Sequence, residues 1–123
     1  MKIIISGAGE VGSHLAKMLR NEANDICVID SNQQRLTALS ETADVVTVCG
    51  NPASIEVLKN AGAEKADLFV AVNPSTSQNV NVVCSALAKS LGSKKVVCRV
   101  NNEEYLAYDN KYLFSDMGID LLF

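Results

Sequence analysis

Three glycines at fixed spacing are the first residues able to do chemistry. The run Gly7-Ala8-Gly9-Glu10-Val11-Gly12 fits G-x-G-x-x-G. It follows the apolar run Lys2–Ser6 and opens an amphipathic stretch. That strand–turn–helix setting gives the motif its meaning. Gly7 permits the tight turn. Gly9 has no Cβ, so a phosphate can approach the backbone. Gly12 lets the helix pack closely on the strand. The free N–H groups and the positive dipole end of the helix then face an anion. The dipole contributes only about 0.3–1 kcal/mol per exposed charge, so Ala8, Glu10 and Val11 must also hold phosphate through their backbone.

The next apolar run ends in an acid, Asp30, eighteen positions after Gly12. A carboxylate at this place accepts hydrogen bonds from the ribose hydroxyls of an adenine dinucleotide. It also repels a 2′-phosphate, which disfavours NADP. The expected ligand is therefore NAD or NADH, with ATP or ADP as the alternative. Glu10, inside the turn, opposes a third phosphate and leans towards NAD(H).

Further contacts follow from the rule that ligands bind beyond the carboxyl ends of parallel strands. Ser31 and Arg35 lie just past Asp30. Gly50-Asn51 and Val72-Asn73 end the third and fourth apolar runs. Arg99 lies near the end of the fifth. His14 is the only histidine and falls off the expected buried face Val11–Leu15–Leu19. No partner nucleophile or acid for it is visible, so no catalytic residue is assigned.

The elements that must position these residues alternate along the whole chain. Strands are expected at Lys2–Ser6, Ile26–Asp30, Val45–Val48, Asp67–Val72, Lys95–Val100 and Ile119–Leu122. Helices are expected at Val11–Glu22, from Ser31 or Asn32 to about Glu41, from Pro52 to about Asn60, and from Ser75 to Leu91. Gly62 and Gly92 close two of them. Glu103 to about Asp116 reads as broken helix. This pattern predicts a three-layer Rossmann fold: an open, mainly parallel six-stranded sheet with helices on both faces.

The 123 residues make one domain, 1–123. The composition, 48% hydrophobic and 20% charged, is that of a soluble globular protein. A net charge of −3 without clustered Lys or Arg argues against nucleic acid as a partner. The apolar run at Ile3–Ile5 stops at the glycine turn, unlike a secretory signal. Cys27, Cys49, Cys84 and Cys98 have no metal-ligand spacing and read as four buried, reduced thiols of a cytoplasmic protein. The chain stops within the apolar run Leu121-Leu122-Phe123. We therefore expect further protein, or a partner, to cover that end.

More particular is Gly50-Asn51 followed by Leu58, then Ala61-Gly62-Ala63-Glu64-Lys65-Ala66-Asp67 leading into Leu68–Val72. With the glycine turn and Asp30, this combination resembles the N-terminal nucleotide-binding domain of TrkA-type potassium-uptake regulators, also called the RCK or KTN domain. The resemblance covers the whole chain. It places Asn79 on the long helix and Arg99 on the fifth strand among family positions, with Ile119-Asp120-Leu121-Leu122 as the last strand. The chain departs from the pattern at Thr76-Ser77, where the family often carries an acidic pair before Asn79. The resemblance implies a non-enzymatic, cytoplasmic gating subunit. It would form dimers and tetramers on the inner face of an integral-membrane potassium transporter or channel, and nucleotide would bias the pore. The residues by themselves leave a second reading, the cofactor domain of an NAD-dependent oxidoreductase whose catalytic domain lies elsewhere.

Overall fold

Runs of aliphatic residues buried on both faces make the centre of a parallel sheet, and the computed structural model, which describes residues 1–123, builds one. The strands are β1 (Lys2–Ser6), β2 (Asp25–Asp30), β3 (Val46–Cys49), β4 (Leu68–Ala71), β5 (Lys95–Cys98) and β6 (Leu121–Leu122). They lie in the order β3-β2-β1-β4-β5-β6, and every adjacent pair is parallel. The helices are α1 (Glu10–Leu19), α2 (Gln33–Thr42), α3 (Ile55–Ala61), α4 (Gln78–Leu91), α5 (Glu103–Leu106) and α6 (Lys111–Ser115).

Alternation along each strand sorts the core into two layers. Ile3 and Ile5, with Val28 and Val70, pack under Ala16 of α1 and Leu36 and Leu39 of α2. Ile4, with Ile29, Phe69 and Val96, packs under Leu58 of α3 and Cys84 and Ala88 of α4. A smaller cluster around Phe114, Ile119 and Leu122 seats α6 against the β6 edge.

Several local expectations shift. The first helix ends at Leu19 rather than Glu22, because Arg20 is already extended at φ −67°, ψ 120°. Val11 is exposed, and α1 buries Gly12 and Ala16 instead. The side chain of Asn32, not Ser31, caps α2 by accepting from the Arg35 N–H at 3.1 Å. Ser54 caps α3, so Pro52 lies in the preceding turn rather than in the helix. Ser75 does not cap the long helix but begins a single 3-10 turn, and α4 starts only at Gln78. Cys49 is exposed, contrary to its reading as buried, because β3 is an edge strand with one open side. The other three thiols are buried. Burial pushes Cys27 up to about 11 and Cys84 to about 12, which keeps both protonated and inert at neutral pH.

Two aspartates fasten the amino ends of the strands. Asp67 accepts from the Lys2 N–H at 2.8 Å and pairs with Lys94 at 3.3 Å. Asp120 accepts from Lys89 Nζ at 2.9 Å and from the Val96 N–H at 2.8 Å. The Lys2 N–H, and then Lys94, hold Asp67 below the ordinary aspartate value of 3.8. Burial works against the charge of Asp120, but Lys89 and the Val96 N–H outweigh it and hold it below 3.8 as well. Depressed carboxylates bind fewer protons folded than unfolded. Their contribution is therefore complete above the unfolded value and disappears as pH falls through the folded one. We expect stability to be insensitive to both groups from neutrality to about pH 4, and to decline below it. Acid melts of the Asp120→Asn variant should show a shallower decline; an unchanged slope would exclude this staple.

Candidate functional site

The glycine turn joins β1 to α1 at the carboxyl end of the sheet. Gly7 has φ +114°, and its N–H donates to the Ile29 carbonyl at 2.7 Å. A Cβ there would stand 2.9 Å from Val72 O and Asn73 N, so the turn lies directly on the end of β4. A Cβ on Gly12 would stand 1.7 Å from the Gly7 carbonyl oxygen. A Cβ on Gly9 would meet nothing within 4 Å. The three glycines thus serve separate purposes: a left-handed turn, close packing of helix on turn, and an open approach to the backbone. α1 has no side-chain cap. The N–H groups of Glu10, Val11 and Gly12 donate to no protein acceptor, and Ser13 is the first to bond back, to Gly9 O at 2.9 Å. These donors suit a phosphate.

Asp30 ends β2 beside the turn and is 4% exposed. One carboxylate oxygen accepts from the Ala8 N–H at 2.7 Å, so that N–H is engaged rather than free for phosphate as expected; the other accepts from the Asn32 N–H at 2.8 Å. Arg35 Nη1 stands 3.9 Å away. The carboxylate thus ties the glycine turn to the start of α2, a role the sequence spacing does not reveal. An ionised carboxylate has about four acceptor positions, so capacity for ribose hydroxyls remains. Asp30→Ala would leave two backbone N–H groups without acceptors. We expect it to cost about 1–3 kcal/mol in a denaturant melt and to weaken nucleotide binding as well. A variant as stable as the parent would show that the tie does not matter.

Over the strand ends lies a cleft of about 410 Å³. Asp30 and Ser31 at the end of β2, Arg35 on α2, and Asn51 and Pro52 after β3 line one side. Asn73, Pro74 and Ser77 from the β4–α4 connection, with Val80 in the first turn of α4, line the other. Of the expected contacts, Asp30, Ser31, Arg35, Asn51 and Asn73 therefore come together around one cleft. Gly50 and Val72 support it from behind. The Gly50 N–H donates to the Asp30 carbonyl at 3.0 Å, and the Val72 N–H to the Ser6 carbonyl at 2.9 Å. Glu10 is exposed in the first turn of α1.

Two expected contacts lie elsewhere. Asn79 is exposed and lines a different groove, with Val82, Tyr105 and Phe114. Residues two apart on a helix face about 200° apart, so Asn79 and Asn81 cannot both face the sheet. The structure buries Asn81, together with Cys84, Ser85 and Ala88. That i, i+3, i+4, i+7 spacing was the available signal for Asn81. Arg99 lies one residue beyond β5 and is half-buried, but it does not line the cleft; its N–H donates to Ala71 O at 2.9 Å. Its place at the strand end is the one expected, but the cleft lies over β2, β3 and β4. Pro52, Pro74, Ser77 and Val80 also escaped the sequence reading, because only the fold brings their loops together.

An all-parallel sheet, a glycine turn with an open central glycine, and an acid at the end of the neighbouring strand define a Rossmann-type nucleotide-binding domain. Residues 3–123 match the TrkA-N domain, and the chain belongs to that family. It is 41% identical over 122 residues to the Trk system potassium uptake protein TrkA of Haemophilus influenzae, covering 98% of this chain and 26% of that protein. It is 43% identical over 106 residues to a TrkA homolog of Archaeoglobus fulgidus, covering 86% of this chain and 23% of that protein. The chain thus spans about a quarter of the length of these relatives. Among solved structures, the TrkA-N domain of the inner membrane protein ybaL from Escherichia coli superposes with a TM-score of 0.79 at 21% identity, covering 99% of this chain and 85% of that one. The GsuK channel bound to NAD gives 0.78 at 19% identity, covering 98% of this chain and 21% of that one. These likenesses establish the fold.

Proposed function

We propose that residues 1–123 form one NAD(H)-binding regulatory unit of a potassium transport system. The observation that carries this reading is a phosphate-ready turn beside Asp30 in a chain whose relatives are potassium uptake proteins. The solved GsuK channel was bound to NAD, which supports the same ligand class. The unit acts without catalysis. Its only histidine, His14, is exposed on α1 and lines no part of the cleft. No helix is long and apolar enough to cross a membrane. The potassium uptake relatives and the channel neighbour support, as the partner, an integral-membrane potassium transporter or channel subunit, met at the cytoplasmic face by a dimer or tetramer of this domain. Nucleotide shifts gating only insofar as it binds two states of that assembly unequally.

NADH at 100 times its dissociation constant should stabilise the chain by about 2.7 kcal/mol, read as a rise in melting temperature. NAD, ADP and ATP should be compared in the same assay. The absence of any shift at millimolar concentration with all four would refute the nucleotide reading. Potassium flux through a reconstituted transporter carrying the domain should then respond to the nucleotide that binds; flux indifferent to a bound nucleotide would refute the regulatory role.

A further inference from the structure

The first turn of α4 meets the cleft on one side and holds the start of α5 on the other. Ser77 and Val80 line the cleft, and Gln78, between them in sequence, does not. Its side-chain Oε1 accepts from the Asn101 N–H at 3.0 Å and from the Asn102 N–H at 3.1 Å. Neither N–H has a backbone acceptor. Asn102 is also the cap of α5, where its side chain accepts from the Glu104 N–H at 2.9 Å. One oxygen of α4 thus straps down the connection from β5 to α5.

The sheet's own hold ends just before this strap. Asn81 Nδ2 donates to the Arg99 carbonyl at 2.9 Å, and the Val100 N–H donates to the Phe123 carbonyl at 2.7 Å. Asn101 and Asn102 follow without a hydrogen bond to any strand. α5 is only four residues long, and so short a helix has no stability of its own. Its place depends on the strap and on Tyr105, whose ring lies 5.0 Å from that of Phe114. Tyr105 and Phe114, with Val82, Val83 and Met117, line an apolar groove between α4, α5 and α6. A shift of α5 therefore reshapes that groove.

The entry to α4 is lightly held. Ser75–Ser77 form a single 3-10 turn, and Ser77, at φ −122° and ψ 30°, departs from helical geometry. No side chain caps α4. The connection can turn about Ser77 without breaking a cap, and Gln78 is the next residue. A ligand in the cleft packs on Ser77 and Val80 and fixes this turn. We infer that occupancy of the cleft tightens the Gln78 strap, so that α5 and the groove beside it respond to bound nucleotide. This rests on the nucleotide-binding reading and adds a route of regulation to it. Gln78 touches no ligand; it is a positioning residue for α5. Coupling of this kind is reciprocal: the factor by which nucleotide strengthens the strap is the factor by which the strap strengthens nucleotide binding.

Amide exchange of the wild-type chain, followed by NMR with and without saturating NADH, tests this. The Asn101 and Asn102 amides should exchange about fivefold or more slowly with NADH. The Asn24 N–H, which donates to the Asn21 carbonyl in the turn before β2, should not change. In Gln78→Leu the slowing at Asn101 and Asn102 should vanish. The dissociation constant for NADH should rise by the same factor, although position 78 lies outside the cleft. Gln78→Glu, which keeps an acceptor oxygen, should restore both effects; a merely structural role for Gln78 does not produce this matched pair. Equal slowing of every amide, Asn24 included, would mark general stabilisation and overturn the inference, as would an NADH affinity unmoved in Gln78→Leu. The wild-type exchange decides even if a variant does not fold. NADH that binds without slowing the Asn101 and Asn102 amides overturns this inference alone, whereas no binding of NADH overturns the functional reading beneath it.

Discussion

Gly9→Glu is expected to remove nucleotide binding while leaving the fold intact. Gly9 has φ −73° and ψ −161°, an extended conformation that any residue adopts. A side chain there starts in open space, with no atom within 4 Å of its Cβ. The protein therefore loses nothing by carrying it, and an acid at a helix N-terminus is mildly stabilising. The ligand does lose. The side chain fills the approach to the N–H groups of Glu10, Val11 and Gly12, and its tethered carboxylate competes for them with like charge. Calorimetry should show affinity falling by about 100-fold or more, equivalent to roughly 3 kcal/mol. The melting temperature without ligand should match that of the parent. Retained affinity would mean that phosphates bind elsewhere; a folding defect would mean that the open space is not open.

Gly12→Val is expected to do the reverse and damage the fold itself. Its Cβ would stand 1.7 Å from Gly7 O and 2.8 Å from Gly7 C, both backbone atoms. The turn cannot retreat, because Gly7 lies against the backbone of Val72 and Asn73. α1 would have to lift from the sheet and uncover Ala16, which is fully buried. Overpacking against backbone on both sides should cost about 3–5 kcal/mol, at the severe end for single substitutions. Denaturant melts provide the measurement, and a loss under about 1 kcal/mol would show slack that the geometry denies. Paired with Gly9→Glu, this variant separates two glycines that a motif treats alike.

Much of this was legible in the sequence because its causes are local. Strand and helix alternate in the periodicity of apolar residues. The roles of Gly7, Gly9 and Gly12 follow from their spacing behind a strand. Asp30 is found by position alone. What stayed hidden depended on tertiary neighbours. Nothing local says that β3 is an edge strand, so Cys49 read as buried. Nothing local says that Asp30 accepts from Ala8, twenty-two residues away. The resemblance marks Asn79, whereas the burial of Asn81, two positions on, follows from how α4 sits on the sheet. Arg99 was placed correctly at a strand end, but the cleft lies over other strands.

The exposed thiol has a practical consequence. Cys49 Sγ contacts the carbonyl of Ser31, a residue that lines the cleft, and Cys49 lies two positions before Asn51, which lines it too. The remaining three cysteines are enclosed, at 7%, 0% and 0% exposure for Cys27, Cys84 and Cys98. A maleimide dye would therefore attach at one place without any engineering, at the rim of the cleft. The unmodified sequence is thus already suited to become a fluorescent reporter of its own occupancy.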